Sequence, residues 1–370
     1  MTTLQRSRVL RGEGRRHVRR LVPAAAAACL AGAILTLSGA HELGPATALV
    51  LSREAAQIDQ PETQLSAARL ARAAVSWNGG PTSASTGETV TVYVSSSLPA
   101  EAGTPQTWAN FISGLDHGAE LSAVSAYIAT FAEMQDVCGT QALGCYGGNR
   151  LVAIGELAGG VSPMDVVRHE YGHHIAYHRL NPPWTTIDWG PKSWASIENV
   201  CRRTGDGSAF PGDESDHYHL NPGEAWAETY RILEERKAGI TTSLWNIVDG
   251  SFYPTDAVLQ VAEHDVLNPW TAPRRLVAKR RFTPKSRRVW TIPIATSLDG
   301  TLDITVSLPK NSLYDVSLLD ADGKTVIATV LWSSRTSKTV SAKICGERTL
   351  FVRLTQRAAF GRVVVSASVP

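Results

Sequence analysis

The sequence predicts an α+β domain followed by an all-β sandwich. Three observations carry this: apolar, β-branched runs at 89–94 and 151–157, helix-start signals gathered between 162 and 266, and two-residue alternation beyond 288.

The chain opens with MTTLQRSRVLRGEGRRHVRR, seven arginines and one glutamate, and continues into LVPAAAAACLAGAILTLSGA. A charged segment, an apolar one and the small residues Ser38, Gly39 and Ala40 predict a secretory signal peptide over 1–40. Export, with no stable membrane association after cleavage, follows. The alternative is a retained anchor, since the run from Leu21 to Leu37 nears the lower end of a spanning length. Cys29 has no lipobox around it, which argues against a lipid anchor.

Without residues 1–40, Lys+Arg falls from 36 to 29 and Asp+Glu from 34 to 33, so the net charge moves from +2 to −4. The balance gives no basic face for a nucleic acid, so no nucleic-acid partner is expected. Oligomeric state is not legible. In an oxidising compartment the remaining cysteines pair. Cys138 and Cys145 flank a short glycine-containing loop and read as a local bridge, leaving Cys201 with Cys345. Four cysteines permit three connectivities, and buried free thiols are the other reading.

Residues 41–87 are alanine-rich, carry the helical pattern LSAARLARAAV and end in NGGPTSASTGE, so they read as a pro-segment or N-terminal extension and linker. Residues 88–270 form the predicted α+β domain. TVTVYV is a strand, TWANFISGL a helix, AVSAYIATF an apolar stretch and LVAIGEL a strand, with further helices at 191–203, 222–237 and 255–266. Residues 271–287, with TAPRR and VAKRRFTPKSRR, read as a basic linker, with dibasic processing sites as the alternative. In 288–370 Leu302, Ile304, Val306 and Leu308 alternate with polar neighbours, ADGK supplies a hairpin turn, and TLFVRLTQ and GRVVVSASV alternate again.

The chemistry concentrates in VVRHEYGHHIAYH. Ser162, Pro163 and Asp165 start a helix there. His169 and His173, four apart, share a face, and Glu170 flanks it. This HExxH pattern suits one catalytic Zn²⁺ held by two imidazoles, with the carboxylate free to accept a proton from water. A satisfied polar helix face is the bland reading. His174 and His178 point elsewhere and read as hydrogen-bonded or exposed. Ala176 and Arg179 stand where the metzincin continuation needs glycine and histidine, so that option fails.

A third ligand is still required. NPGEAWAETYRILEE supplies Glu224 and Glu228, one turn apart. With these two segments the chain resembles the gluzincin metallopeptidases, and ExxAE after HEYGH is similar to the lethal-factor type of bacterial zincin. The resemblance implies a zincin-like domain in which His169, His173 and Glu224 hold zinc, Glu170 is the general base and Glu228 orients a ligand histidine. It implies a secreted endopeptidase acting on proteins or peptides, with Tyr218, or next His217, stabilising the oxyanion. The residues leave alternatives open. Asn221 and Glu224 could form a capping box, which would make Glu228 the ligand, and His217, His219 or Asp216 could supply it instead. Three tryptophans in PPWTTIDWGPKSW read as a core wall before a substrate surface. Gly172, inside the helix, implies close approach by another backbone.

The C-terminal strands resemble the pre-peptidase C-terminal domains of bacterial secreted peptidases. Two rival readings stand beside the peptidase: an inactive surface- or carbohydrate-binding module, and a different HExxH hydrolase such as a deformylase. An intact Glu170 argues against the first, and the export signal and long interval to Glu224 argue against the second.

Overall fold

A computed structural model describes residues 75–140, 142–241, 245–331 and 336–370. The signal peptide and the helix expected at LSAARLARAAV lie outside the described residues. Among those described, no helix is long and apolar enough to cross a membrane.

The first region is built on a five-stranded mixed sheet of β1 (Trp77–Ser83), β2 (Thr89–Ser95), β3 (Ser125–Ala129), β4 (Gly144–Gly147) and β5 (Arg150–Ile154), in the order β1-β2-β3-β5-β4. The β2-β3 and β3-β5 pairs are parallel, while β1 and β4 close the edges antiparallel. Helices α1 (Pro105–Ser113) and α2 (Phe131–Cys138) stand between strands in the chain. The strands and helices therefore interleave here, where separate runs of each are expected from the sequence. Each helix starts at a threonine whose side chain accepts an N-terminal backbone N–H, Thr104 for α1 and Thr130 for α2, and each has a reciprocal capping box.

Five helices follow: α3 (Pro163–Tyr177), the short α4 (Thr186–Trp189), α5 (Lys192–Ile197) and α6 (Val200–Gly205), and α7 (Pro222–Lys237), before α8 (Asp256–Leu267). The single helix expected over 191–203 is broken into α5 and α6 because Asn199 adopts left-handed φ 55°. A left-handed residue ends a helix, and asparagine tolerates that conformation better than most side chains. Val92, Ile128, Val152 and Ile154 of the sheet pack with Val167, Tyr171, Trp194 and Trp226 in one core. Trp189 and Trp194 are buried and Trp184 stacks on Trp189, so the tryptophan-rich segment does build a core wall.

Residues 271–287 are not a linker. Arg274–Phe282 is β6, paired along its length with β13 (Gly361–Val369). Its alternate residues Leu276, Ala278 and Phe282 face inward, a pattern masked in the sequence by arginine at 280. With β7 (Val289–Thr296), β8 (Gly300–Ser307), β9 (Leu313–Leu319), β10 (Val326–Val330), β11 (Ser337–Ile344) and β12 (Arg348–Ala358) it completes two antiparallel sheets, ordered β10-β9-β12-β7 and β11-β8-β13-β6. Their inner faces, among them Leu302, Ile304, Val306, Val316 and Val352, form a second core. ADGK makes the β9–β10 turn, with Gly323 at φ 67°. The boundary at 88 also moves, because β1 at 77–83 belongs to the first sheet.

Cys138–Cys145 closes the local loop, and Cys201–Cys345 joins α6 to the sandwich. Around that second bridge Asp299 donates its backbone N–H to Ser196 Oγ and accepts from the Gly346 N–H. Lys192, 1% exposed, donates to the Pro182 carbonyl and lies over the rings of Trp184 and Trp270.

Candidate metal centre

Helix α3 brings the histidines to the site. Ser162 Oγ accepts the Met164 N–H, and Pro163 occupies the first turn. The helix packs on β5, β4 and α7. At its crossing with α7 a Cβ on Gly172 would lie 2.8 Å from Ala227 Cα, so the expected close approach is present. Trp226 Nε1 donates to the Gly172 carbonyl at 2.8 Å and fixes the crossing. Gly172→Ala adds helix propensity of about 1 kcal/mol but overpacks a backbone contact at a cost of about 1–3 kcal/mol. The variant is therefore expected to be less stable than wild type in chemical denaturation.

Helix α7 brings the carboxylate. Asn221 Oδ1 caps it by accepting the Gly223 N–H. Glu224 does not fold back to close a capping box but points to α3. His169 Nε2 stands 3.2 Å from Glu224 Oε2 and 3.2 Å from His173 Nε2, and His173 Nε2 stands 3.3 Å from Glu224 Oε1. All three residues are buried. Among the described residues this is the one group of three or more His, Cys, Asp or Glu side chains placed to share a metal ion.

Whether the trio fits zinc is a question of edge lengths. Ligand bonds of about 2.0–2.1 Å in a tetrahedron place donor atoms roughly 3.3–3.4 Å apart. The observed separations match that spacing to within about 0.2 Å. Two imidazole nitrogens aimed at each other and at one carboxylate need protons or a cation between them, and the nitrogen and oxygen donors suit Zn²⁺. The residues fit the ion.

The electrostatics agree. Burial pulls the His169 imidazolium down, but the Glu224 and Glu228 carboxylates on either side of the ring outweigh that and raise its pKa to about 10. His173 is raised too, with Glu224 overcoming burial. Glu224 would be raised by burial, yet the two histidines hold it well below the usual carboxylate range. A cation entering the site must displace these protons, so binding is coupled to proton release.

Glu228 Oε2 lies 3.7 Å from His169 Nδ1, on the far side of the ring from the cluster. It is fully buried, and Arg231, one turn on, donates to both of its oxygens and also to Glu235. Despite burial, His169 and Arg231 keep Glu228 ionised with a lowered pKa. Arg231 was not legible as a site residue, although its i+3 spacing from Glu228 was a usable signal. Trp245, whose ring is 5.5 Å from that of His169, had no sequence signal.

Glu170, 6% exposed, packs against the edge strand β4, where a Cβ on Gly144 would come 2.6 Å from its Oε1. Tyr218 donates its phenol O–H to Glu224 Oε2 at 2.7 Å. Burial first, then the Glu224 charge, push its pKa well above the usual tyrosine value, so it stays a donor. His217 bonds Asp213 and stacks on Phe210, and His219 meets the Ile247 carbonyl, so neither joins the cluster, nor does Asp216. His174 is buried between the Tyr146 hydroxyl and the Glu120 carbonyl, which accepts from its Nε2–H, and burial lowers its pKa to about 4. His178 bonds Asn149 Oδ1 at 2.6 Å.

No family model matches the chain, and no curated protein matches its sequence. Among solved structures it is similar to the pre-peptidase C-terminal domain of a Bacillus anthracis collagenase, at 11% identity and TM-score 0.22, over 25% of this chain and 89% of that one. It is also similar to a Yersinia pseudotuberculosis-derived mitogen, at 13% identity and TM-score 0.19, over 26% and 87%. A third likeness is to a carbohydrate binding module of a Cellvibrio mixtus lichenase in complex with cellotriose, at 9% identity and TM-score 0.19, over 27% and 99%. Residues 274–369 pair their strands into two four-stranded antiparallel sheets, a β-sandwich.

Proposed function

We propose that this chain is an exported zinc-dependent endopeptidase with a zincin-like catalytic domain. The observation that carries the reading is the convergence of His169, His173 and Glu224 on one point, with Glu170 beside it. When bound, Zn²⁺ supplies positive charge that lowers the pKa of a water molecule and polarises a carbonyl. Glu170 would accept a proton from an attacking water molecule and return it to the leaving amine. Tyr218 turns its O–H from Glu224 to the oxygen of the attacked carbonyl as charge develops there. Glu228, ion-paired to Arg231, holds the His169 ring in orientation through Nδ1.

The position of β4 supports a peptide substrate. Among the described residues β4 pairs with β5 alone, at the edge of the sheet, and Glu170 packs against it. An extended peptide can add to such an edge through main-chain hydrogen bonds, which would set a scissile bond against the base.

Purified protein is expected to hold one zinc per chain and to hydrolyse casein. A chelator should stop hydrolysis, and added zinc should restore it. Undiminished hydrolysis by metal-free protein would overturn the assignment.

A further inference from the structure

Residues 274–288 contain eight of the chain's lysines and arginines and no acid, so the rest of 41–370 carries a net charge of −12. The structure turns this sequence bias into a place. β6 and β7 are the edge strands of the two sheets, on the same side of the sandwich and joined by the 283–288 loop. Arg275, Lys279 and Arg281 occupy outward positions of β6, and Lys285, Arg287 and Arg288 are exposed on the loop. Two members have structural work: Arg274 donates to the Ala295 carbonyl of β7, and Arg280 lies over Phe282 and Trp290. None of the eight forms an ion pair with an acid among the described residues.

One or two cations are enough to keep an edge strand from pairing with a second chain. This strip goes further, at a cost to the fold. Arg281 stands directly opposite Arg362 of β13, both facing outward, and like charges in opposed positions destabilise a sheet. A ligand of opposite charge would relieve that repulsion.

We propose that this edge binds a linear acidic polysaccharide. β6 alone runs for about 30 Å, one strand wide, which suits a chain better than a membrane plane. Beside the cations the outer face is rich in hydroxyls: Ser366 and Ser368 on β13, Thr305 and Ser307 on β8. These can bond sugar hydroxyls while the cations hold acidic groups. Arg275 already lies across the face to Ser366 Oγ at 3.3 Å. No aromatic ring occupies an outward position of β6, β8 or β13, so unstacked nucleic-acid bases would find no platform. Asp303 is the acid of this face, next to Ser368, and Ser341 donates to it. The inference does not depend on the metal site.

The test uses the full chain and fluorescent heparin as the probe, by polarisation at several salt concentrations. Wild type should bind with an affinity that falls steeply with salt. The triple variant Lys279→Glu/Arg281→Glu/Arg362→Glu should bind at least about 100-fold more weakly, because three attractions become repulsions. Arg281→Glu alone keeps folding in view: it should bind more weakly while its melting temperature rises, since a like-charge pair becomes an opposite one. Absence of heparin binding at low salt, or unchanged binding by the triple variant, would overturn the proposal. So would equal or tighter binding to duplex DNA, to phosphatidylglycerol vesicles or to neutral dextran.

Discussion

Glu170→Gln will keep its zinc and lose about 10²–10⁴-fold in the rate of casein hydrolysis. The amide matches the carboxylate in size, so the packing against Gly144 of β4 survives, and none of His169, His173 and Glu224 is touched. What disappears is the group that accepts a proton. Zinc content and casein turnover, measured on the same preparation, check this. Wild-type turnover by the variant would show that the base lies elsewhere, whereas loss of both zinc and turnover would show that Glu170 also supports the ligands.

The second large effect separates Glu224 from Glu228 on α7. Glu224→Ala removes one of three donors and takes from the two buried imidazoles the carboxylate that meets both of their Nε2 atoms. That variant is expected to lose zinc entirely. Glu228→Gln, whose carboxylate faces the other nitrogen of His169, is expected to retain zinc with affinity lowered about 10–100-fold. Competition titration against a chromogenic chelator measures both. The opposite ranking would make Glu228 the ligand.

What could be read in advance depended on how local the information was. HExxH is legible because a helix fixes where residues four apart point, and Ser162-Pro163 marks where that helix begins. Glu224 is 55 positions from His169 and came through a resemblance. Spacing alone left it competing with Glu228 and with an end-capping role, and only the folded chain puts its carboxylate against the Nε2 atoms of both histidines. The short loop between Cys138 and Cys145 suggested the cysteine pairing without excluding the other two connectivities, and the structure has that pairing. β1 was not legible, because WNGGPTS has the composition of a turn. Its strand character comes from pairing with β2, where Gly79 at φ 129° meets the Val92 carbonyl so closely that a Cβ could not fit. β6 was hidden by charge, since its arginines and lysine read as a solvated linker until β13 lies beside them. The parallel pairing of β2, β3 and β5 rests on contacts between distant segments, which no local pattern records.

The Cys201–Cys345 bridge ties α6 to the far end of β11 across 144 positions of chain. The dibasic loop at 283–288 lies between those cysteines and offers an obvious target to trypsin-like enzymes. A nick there would sever the backbone without releasing a fragment, because the sulfur link would still hold both halves in one covalent body and β6 would remain zipped to β13. A molecule of this design tolerates damage at an exposed basic loop and loses its covalent link to the strands beyond it only where thiols are reduced.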